Sequence, residues 1–159
     1  MKQKNILSLA EAFDQYDKNI DFVVIGKSLS DGEKIRAFDN VTWYEHLKHE
    51  DLYRMLLDTN LYIQNSISES FGLSVIEALY AGCSLLLSNT IGCLDLFDTL
   101  EDEDIIFDVY NQSEIYQKAK YLLLNPNNDR LIRGLKKDFL SEEWQANKWQ
   151  EIINSIVSV

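Results

Sequence analysis

Two carboxylates carry the clearest chemical pattern in the sequence. Glu69 and Glu77 stand with seven residues between them in the segment SISESFGLSVIEALYAGCSLLLSNTIG, residues 66–92. An ionised carboxylate offers two acceptor oxygens, an arrangement suited to a vicinal diol. Between the two lie Phe71, Gly72, Leu73 and Ser74. A glycine just ahead of a helix has no Cβ, so a ligand can approach the backbone N–H groups there. Ser74 is suited to cap that helix, and the amides of the first turn form a ready site for a diphosphate. Glu77, placed in the same first turn, would be stabilised by the positive helix end. The competing reading is structural: Glu77 only complements a helix dipole, and Glu69 is a solvated loop residue.

The elements that must hold these residues follow from hydrophobic periodicity. Residues 5–16 place Ile6, Leu9, Ala10 and Phe13 at helical spacing, and DFVVIG at 21–26 is a short β-branched apolar run that stops at Gly26. A polar loop through Ser30, Asp31 and Gly32 leads to a strand at 41–44 and a helix at 49–58 with Leu52, Met55 and Leu56 inward. A strand at 61–64, a helix at 74–81, an apolar strand at 84–87, a short helix near 93–99 and a strand at 104–109 continue the alternation. The helix at 113–124 turns Ile115, Ala119, Leu122 and Leu123 inward; a turn at 125–128 and two further helices complete the chain. Apolar strands separated by helices are the pattern of a parallel sheet covered on both faces. The fold class expected is therefore α/β, a Rossmann-like parallel sheet with helices on both faces. Such sheets bind ligands at the carboxyl ends of their strands, which is where Glu69 falls.

Composition narrows the function classes. The chain has 159 residues, with 15 Lys and Arg against 26 Asp and Glu, a formal net charge of −11. That length reads as one domain over 1–159, able to bury roughly two thirds of its unfolded surface without staples. The acidic balance argues against a nucleic-acid partner, which needs a basic face. Cys83 and Cys93 form no CxxC pair and His46 and His49 lack companions at ligand spacing, so no metal is expected and both cysteines read as small buried hydrophobes. The acidic stretch at 101–104 lacks the alternation of a calcium loop and reads as a solvated turn. With no secretory leader and no apolar run of about 18–20 residues, the chain reads as cytoplasmic.

The residues around the glutamates resemble a known family. Glu69 and Glu77 with FGL between them, then EALYAG and an apolar strand, look like the E-x7-E motif of retaining nucleotide-sugar glycosyltransferases, the glycosyl transferases group 1. The likeness runs through VTWYEHLKHEDLYRMLLDTNLYIQNSISESFGLSVIEAL, the AEAF of the first helix, DFVVIGKS and the region of Trp144. It covers almost the whole chain, but only the carboxy-terminal, donor-binding half of the two-domain GT-B fold. The resemblance implies that Glu77 binds the ribose hydroxyls and that Glu69 is the catalytic-site residue contacting the donor sugar near its reacting carbon. It implies that Lys4, with Asn5, matches the Lys end of a diphosphate-binding motif whose Arg end has no counterpart here. Gly26 and Lys27 fall where the family places a glycine loop near the nucleotide. Gly92 resembles the end of a second glycine loop, with Cys93 in place of its second glycine. Lys4, Gly26 and Lys27 read equally well as ordinary surface and turn residues. Trp43, Tyr44, Tyr53, Tyr62 and Phe71 are available to stack a base or sugar, and read mostly as core.

The function implied is transfer of a hexosyl group from a UDP-, GDP- or other nucleotide-sugar, with retention, to a glycan or lipid-linked acceptor. No metal and no cofactor beyond the donor substrate is implied. The resemblance implies an acceptor-binding amino-terminal domain of the same protein as the partner. Separately, an α/β half of this kind normally opens with a central strand, and this sequence opens into a helix, as expected of a chain cut from a longer protein. An isolated half of this kind is expected to turn over little. A lipid-linked acceptor would put the full protein at the inner membrane surface. The second function class is a catalytically inactive binding or assembly module that kept the fold. A phosphoacceptor receiver domain is excluded, because the acidic pair after its first strand and the acceptor Asp of a central strand do not occur in the required order.

Overall fold

The protein is described by a computed structural model that covers residues 4–27, 31–136 and 138. Among the described residues five short strands alternate with helices. α1 (Ile6–Tyr16), β1 (Phe22–Ile25), α2 (Gly32–Arg36), β2 (Val41–Tyr44), α3 (His49–Leu57), β3 (Leu61–Gln64), α4 (Leu73–Tyr80), β4 (Ser84–Ser88), β5 (Ile105–Ile106), α5 (Gln112–Leu124) and α6 (Asn128–Gly134) follow in order. Every strand pair is parallel, in two sheets with orders β1-β2 and β3-β4-β5. Parallel neighbours cannot be joined by a tight hairpin, and the intervening helices make the crossovers. The α/β architecture expected from the alternation is the one observed.

β4 shows why the run SLLLS reads as a central strand. All five of its residues are buried. Successive strand side chains point to opposite faces, and Leu85 and Leu87 join a core with Val75, Leu79 and Leu131 while Leu86 joins one with Phe13, Ile115 and Leu122. Two helical layers thus meet on one strand.

The structure departs from the expected elements at several points. α2 forms where the sequence predicts a polar loop. The short helix near 93–99 is a 3₁₀ turn, Gly92–Leu96. The strand expected over 104–109 shrinks to Ile105–Ile106, because a 3₁₀ turn at Asp102–Asp104 precedes it and the Glu114 carboxylate takes the next two amides. Phe107 N donates to Glu114 Oε1 at 2.9 Å and Asp108 N to Oε2 at 3.3 Å, in place of ladder bonds. The acidic stretch is not wholly solvated either: Asp104 is fully buried against Arg130. In the turn at 125–128, Asn127 bonds both the N–H and the carbonyl of Leu85, at 2.9 and 2.8 Å, and so fixes the start of β4. The last of the expected helices and Trp144 lie outside the described residues. Both cysteines are buried, as expected, and burial pushes the Cys93 thiol up to about 12.

Glu114 also gives the fold an acid dependence. Burial raises its pKa, but the Phe107 and Asp108 amides and the Lys118 ammonium together outweigh that and hold the carboxyl below its ordinary 4.5. A depressed folded pKa means stability that is present above the unfolded value and lost as pH falls through the folded one. Glu114→Gln is therefore expected to flatten the loss of urea stability below about pH 4.5, and an unchanged acid limb would contradict this.

Candidate functional site

β3 ends at Gln64, and the chain runs on through Asn65 and Ser66 into the Glu69 loop. That loop is zipped to the one after β4. Glu69 forms a parallel bridge with Ile91; Glu69 N donates to Thr90 O at 3.3 Å, Gly92 N to Glu69 O at 3.0 Å, and Cys93 N to Phe71 O at 3.0 Å. Both loops leave carboxyl ends of parallel strands, the edge at which open α/β sheets bind ligands. Gly72 then turns the chain at φ 90° into α4, a left-handed conformation in which glycine has no Cβ penalty. Val75 N donates to Gly72 O at 2.9 Å, while the Leu73 and Ser74 amides that open α4 have no intrahelical acceptors and carry the positive end of the helix.

The amino end of α1 reaches the same edge. Asn5 is the one non-glycine residue with positive φ, 43°, among the described residues. Its Nδ2 donates to Val109 O at 2.5 Å, and Asn65 Nδ2 donates to the same carbonyl at 2.8 Å. Stitched down in this way, α1 delivers the Lys4 ammonium onto the Glu69 carboxylate, with both side chains partly buried. Gln64 Nε2 lies 3.4 Å from the same oxygen, Glu69 Oε2. A cation, a carboxylate and a helix amino terminus thus share one spot, a set suited to an anionic ligand with hydroxyl groups.

Several of the expected roles change. Ser74 does not cap α4: the cap position is Gly72, and Ser74 Oγ instead donates to Gln64 Oε1 at 3.2 Å. Glu77 is not in the first turn; it is the fifth residue of α4 and exposed, so the helix end stabilises it less. The Gly92 and Cys93 amides already serve the carbonyls of Glu69 and Phe71, so close backbone approach by phosphate is not what Gly92 supplies. Leu73 opens α4 and is 66% exposed. Phe71 is half-buried against the α4 core. Gly26 and Lys27 close β1 in the other sheet, Gly26 N donating to Tyr44 O and Gly26 O accepting from Trp43 Nε1. Among the described residues no hydrogen bond joins them to the Glu69 cluster. Tyr44 and Tyr53 are exposed rather than core. Gln64 is not among the residues singled out by sequence; the signal for it is a polar pair, Gln64-Asn65, closing an otherwise apolar strand. A depression of about 290 Å³ lined by Leu57, Asn60, Gly82 and Pro126 lies at the opposite, amino ends of β3 and β4, away from these groups.

The sequence profile of the glycosyl transferases group 1 matches residues 1–138. The chain belongs to that family. Solved glycosyltransferase structures share its fold. The catalytic domain of cholesterol-α-glucosyltransferase from Helicobacter pylori superposes with a TM-score of 0.67 at 19% identity, over 88% of this chain and 91% of that one. A UDP-forming α,α-trehalose-phosphate synthase from Burkholderia xenovorans gives 0.73 at 12% identity, over 94% of this chain and 41% of that one. Sucrose-phosphate synthase from Thermosynechococcus elongatus gives 0.62 at 20%, over 98% and 44%. This group 1 glycosyltransferase chain thus spans about two fifths of the synthases it resembles. A comparison with curated proteins finds none that matches the sequence. Among the described residues no helix is long and apolar enough to cross a membrane.

Proposed function

We propose that this glycosyltransferase chain is the donor-binding half of a retaining enzyme that moves a hexosyl group from a nucleotide diphosphate sugar to a glycan or lipid-linked acceptor. The observation that carries the reading is Lys4 on Glu69 beside the amino terminus of α4, at the carboxyl ends of β3 and β4. In this reading Glu77 takes the ribose diol and Glu69 the donor sugar. The Leu73 and Ser74 amides and Lys4 hold the diphosphate. Charge develops on that diphosphate as the glycosidic bond breaks, so donors aimed at it supply most of the rate effect. By family resemblance the departure uses no metal ion. A UDP-forming synthase and a glucosyltransferase among the structural neighbours support a uridine hexosyl donor. The acceptor is held by an amino-terminal domain of the same protein, on the cytoplasmic side, and at the inner membrane surface where the acceptor is lipid-linked.

Calorimetric titration of UDP- and GDP-sugars tests this. One of them is expected to bind at millimolar concentration or below, and Glu77→Ala to weaken it about tenfold or more, the worth of a hydrogen bond to a charged group. No nucleotide binding at millimolar concentration, or unchanged affinity in Glu77→Ala, would refute the assignment. The first result would favour a non-catalytic module on the same fold.

A further inference from the structure

We propose that Gln64 is a positioning residue for Glu69, fixing which carboxylate oxygen faces the donor sugar. The inference rests on the reading that Glu69 contacts that sugar. Gln64 is only 4% exposed, at the end of β3, two residues from Tyr62 and so on the same face of the strand. A buried amide is costly unless its hydrogen bonds are made. Here the Tyr62 hydroxyl lies 2.9 Å from both Gln64 Oε1 and Ser74 Oγ, and Ser74 Oγ lies 3.2 Å from Gln64 Oε1. The three groups close a triangle beneath the start of α4.

That triangle decides which way the amide points. Hydroxyls can donate or accept, whereas an ionised carboxylate only accepts. The one arrangement that satisfies both ends puts Oε1 on the hydroxyls and Nε2 on Glu69. Tyr62 stays a neutral hydroxyl, since burial raises it to about 12. Lys4 and Gln64 both contact Glu69 Oε2, and among the described residues nothing bonds Oε1. Oε1 is therefore the oxygen presented to a ligand. Lys4 is a point charge on a flexible stem and fixes no orientation. Gln64 is planar and held at its far end, so it keeps the carboxylate in place when Lys4 turns to the diphosphate.

The test uses the full chain with UDP and UDP-glucose, and reads the ratio of their affinities. Wild type is expected to favour the sugar nucleotide, and Glu69→Gln to abolish that preference. Gln64→Leu is expected to cut the preference at least fivefold while UDP affinity stays within twofold. Gln64→Glu puts a carboxyl against Glu69, Lys4 and Tyr62. Relative to wild type, its preference should be lost at pH 8 and return at pH 5, where a protonated acid can donate in place of the amide. If Glu69→Gln abolishes the preference and Gln64→Leu does not, Gln64 has no such role and the Glu69 reading stands. If wild type shows no preference, or Glu69→Gln keeps it, the Glu69 reading fails and the role of Gln64 with it. Should Gln64→Leu not fold, the Gln64 side-chain amide resonance decides the matter: it must move in Glu69→Gln, and an unmoved resonance overturns the contact.

Discussion

Asp104→Ala is expected to destabilise the fold by about 3–5 kcal/mol, the usual result of removing one partner from a buried ion pair. Asp104 is fully buried and takes four hydrogen bonds. Arg130 grips it with two, Nη2 to Oδ1 at 2.9 Å and Nη1 to Oδ2 at 3.0 Å; Asn127 Nδ2 adds one at 2.7 Å and the Glu101 amide one at 2.9 Å. Alanine would take both carboxylate bonds from a guanidinium whose side chain is only 26% exposed, leaving it the Thr99 carbonyl and the exposed Glu101 carboxylate, and would take one bond from the Asn127 amide. Asn127 is also the group that pins Leu85 at the start of β4, so the loss reaches the central strand. Small domains are stable by about 5–15 kcal/mol, which makes this loss a large share of the whole. The control is Glu101→Ala. Glu101 meets the same Arg130 at 3.3 Å and its side chain also accepts from the Asp104 amide, but that side chain is 55% exposed. An exposed pair contributes about 0–1 kcal/mol and a cap about 1 kcal/mol, still less than the loss expected of Asp104→Ala. Urea midpoints separate the two, and equal losses would mean that burial of Asp104 is not what matters.

That network also shows where the sequence stops being legible. The alternation of apolar strands and helices announces a covered parallel sheet, because burial imprints a period on the chain. Leu85, Leu86 and Leu87 are readable as strand for that reason. The pattern around Glu69 is readable for another reason: a loop, a glycine and a helix start must follow one another along the chain to bring carboxylate and amides together. Asp104 carries no such local mark. Its partner Arg130 is remote in sequence, and a run of four acidic residues at 101–104 looks solvated until one of them is seen to turn inward. Ser74 misleads for a similar reason. A serine near a helix start reads as a cap by propensity, yet Gly72 holds that position and the hydroxyl serves Gln64 instead. Long-range pairing overrides the local preference in both places.

Gly92→Ala is expected to lower nucleotide-sugar affinity about tenfold or more, since small misplacements of binding groups have large effects on a site. A Cβ on Gly92 would sit 2.0 Å from the Ser70 carbonyl oxygen and 2.9 Å from its carbon. Both are backbone atoms, so no rotamer change relieves the clash. The two loops must part, and the bonds from Gly92 N to Glu69 O and from Cys93 N to Phe71 O go with them. Overpacking of this kind also costs about 1–3 kcal/mol of stability, so stability alone cannot identify the cause. Gly82→Ala supplies the comparison. Gly82 has φ 103° with nothing within 4 Å of the added carbon, so alanine there is strained by about 1–2 kcal/mol without pressing on any neighbour. Gly82 follows the end of α4, at the edge of the sheet away from Glu69. The two variants should lose similar stability in urea, while calorimetry shows donor binding lost only in Gly92→Ala. Equal loss of binding in both would mean that the site tracks overall stability rather than the contact between these two loops. A loss confined to Gly92→Ala would tie donor binding to the spacing of the Glu69 and Gly92 loops, which the glycine keeps short enough for their amides and carbonyls to meet.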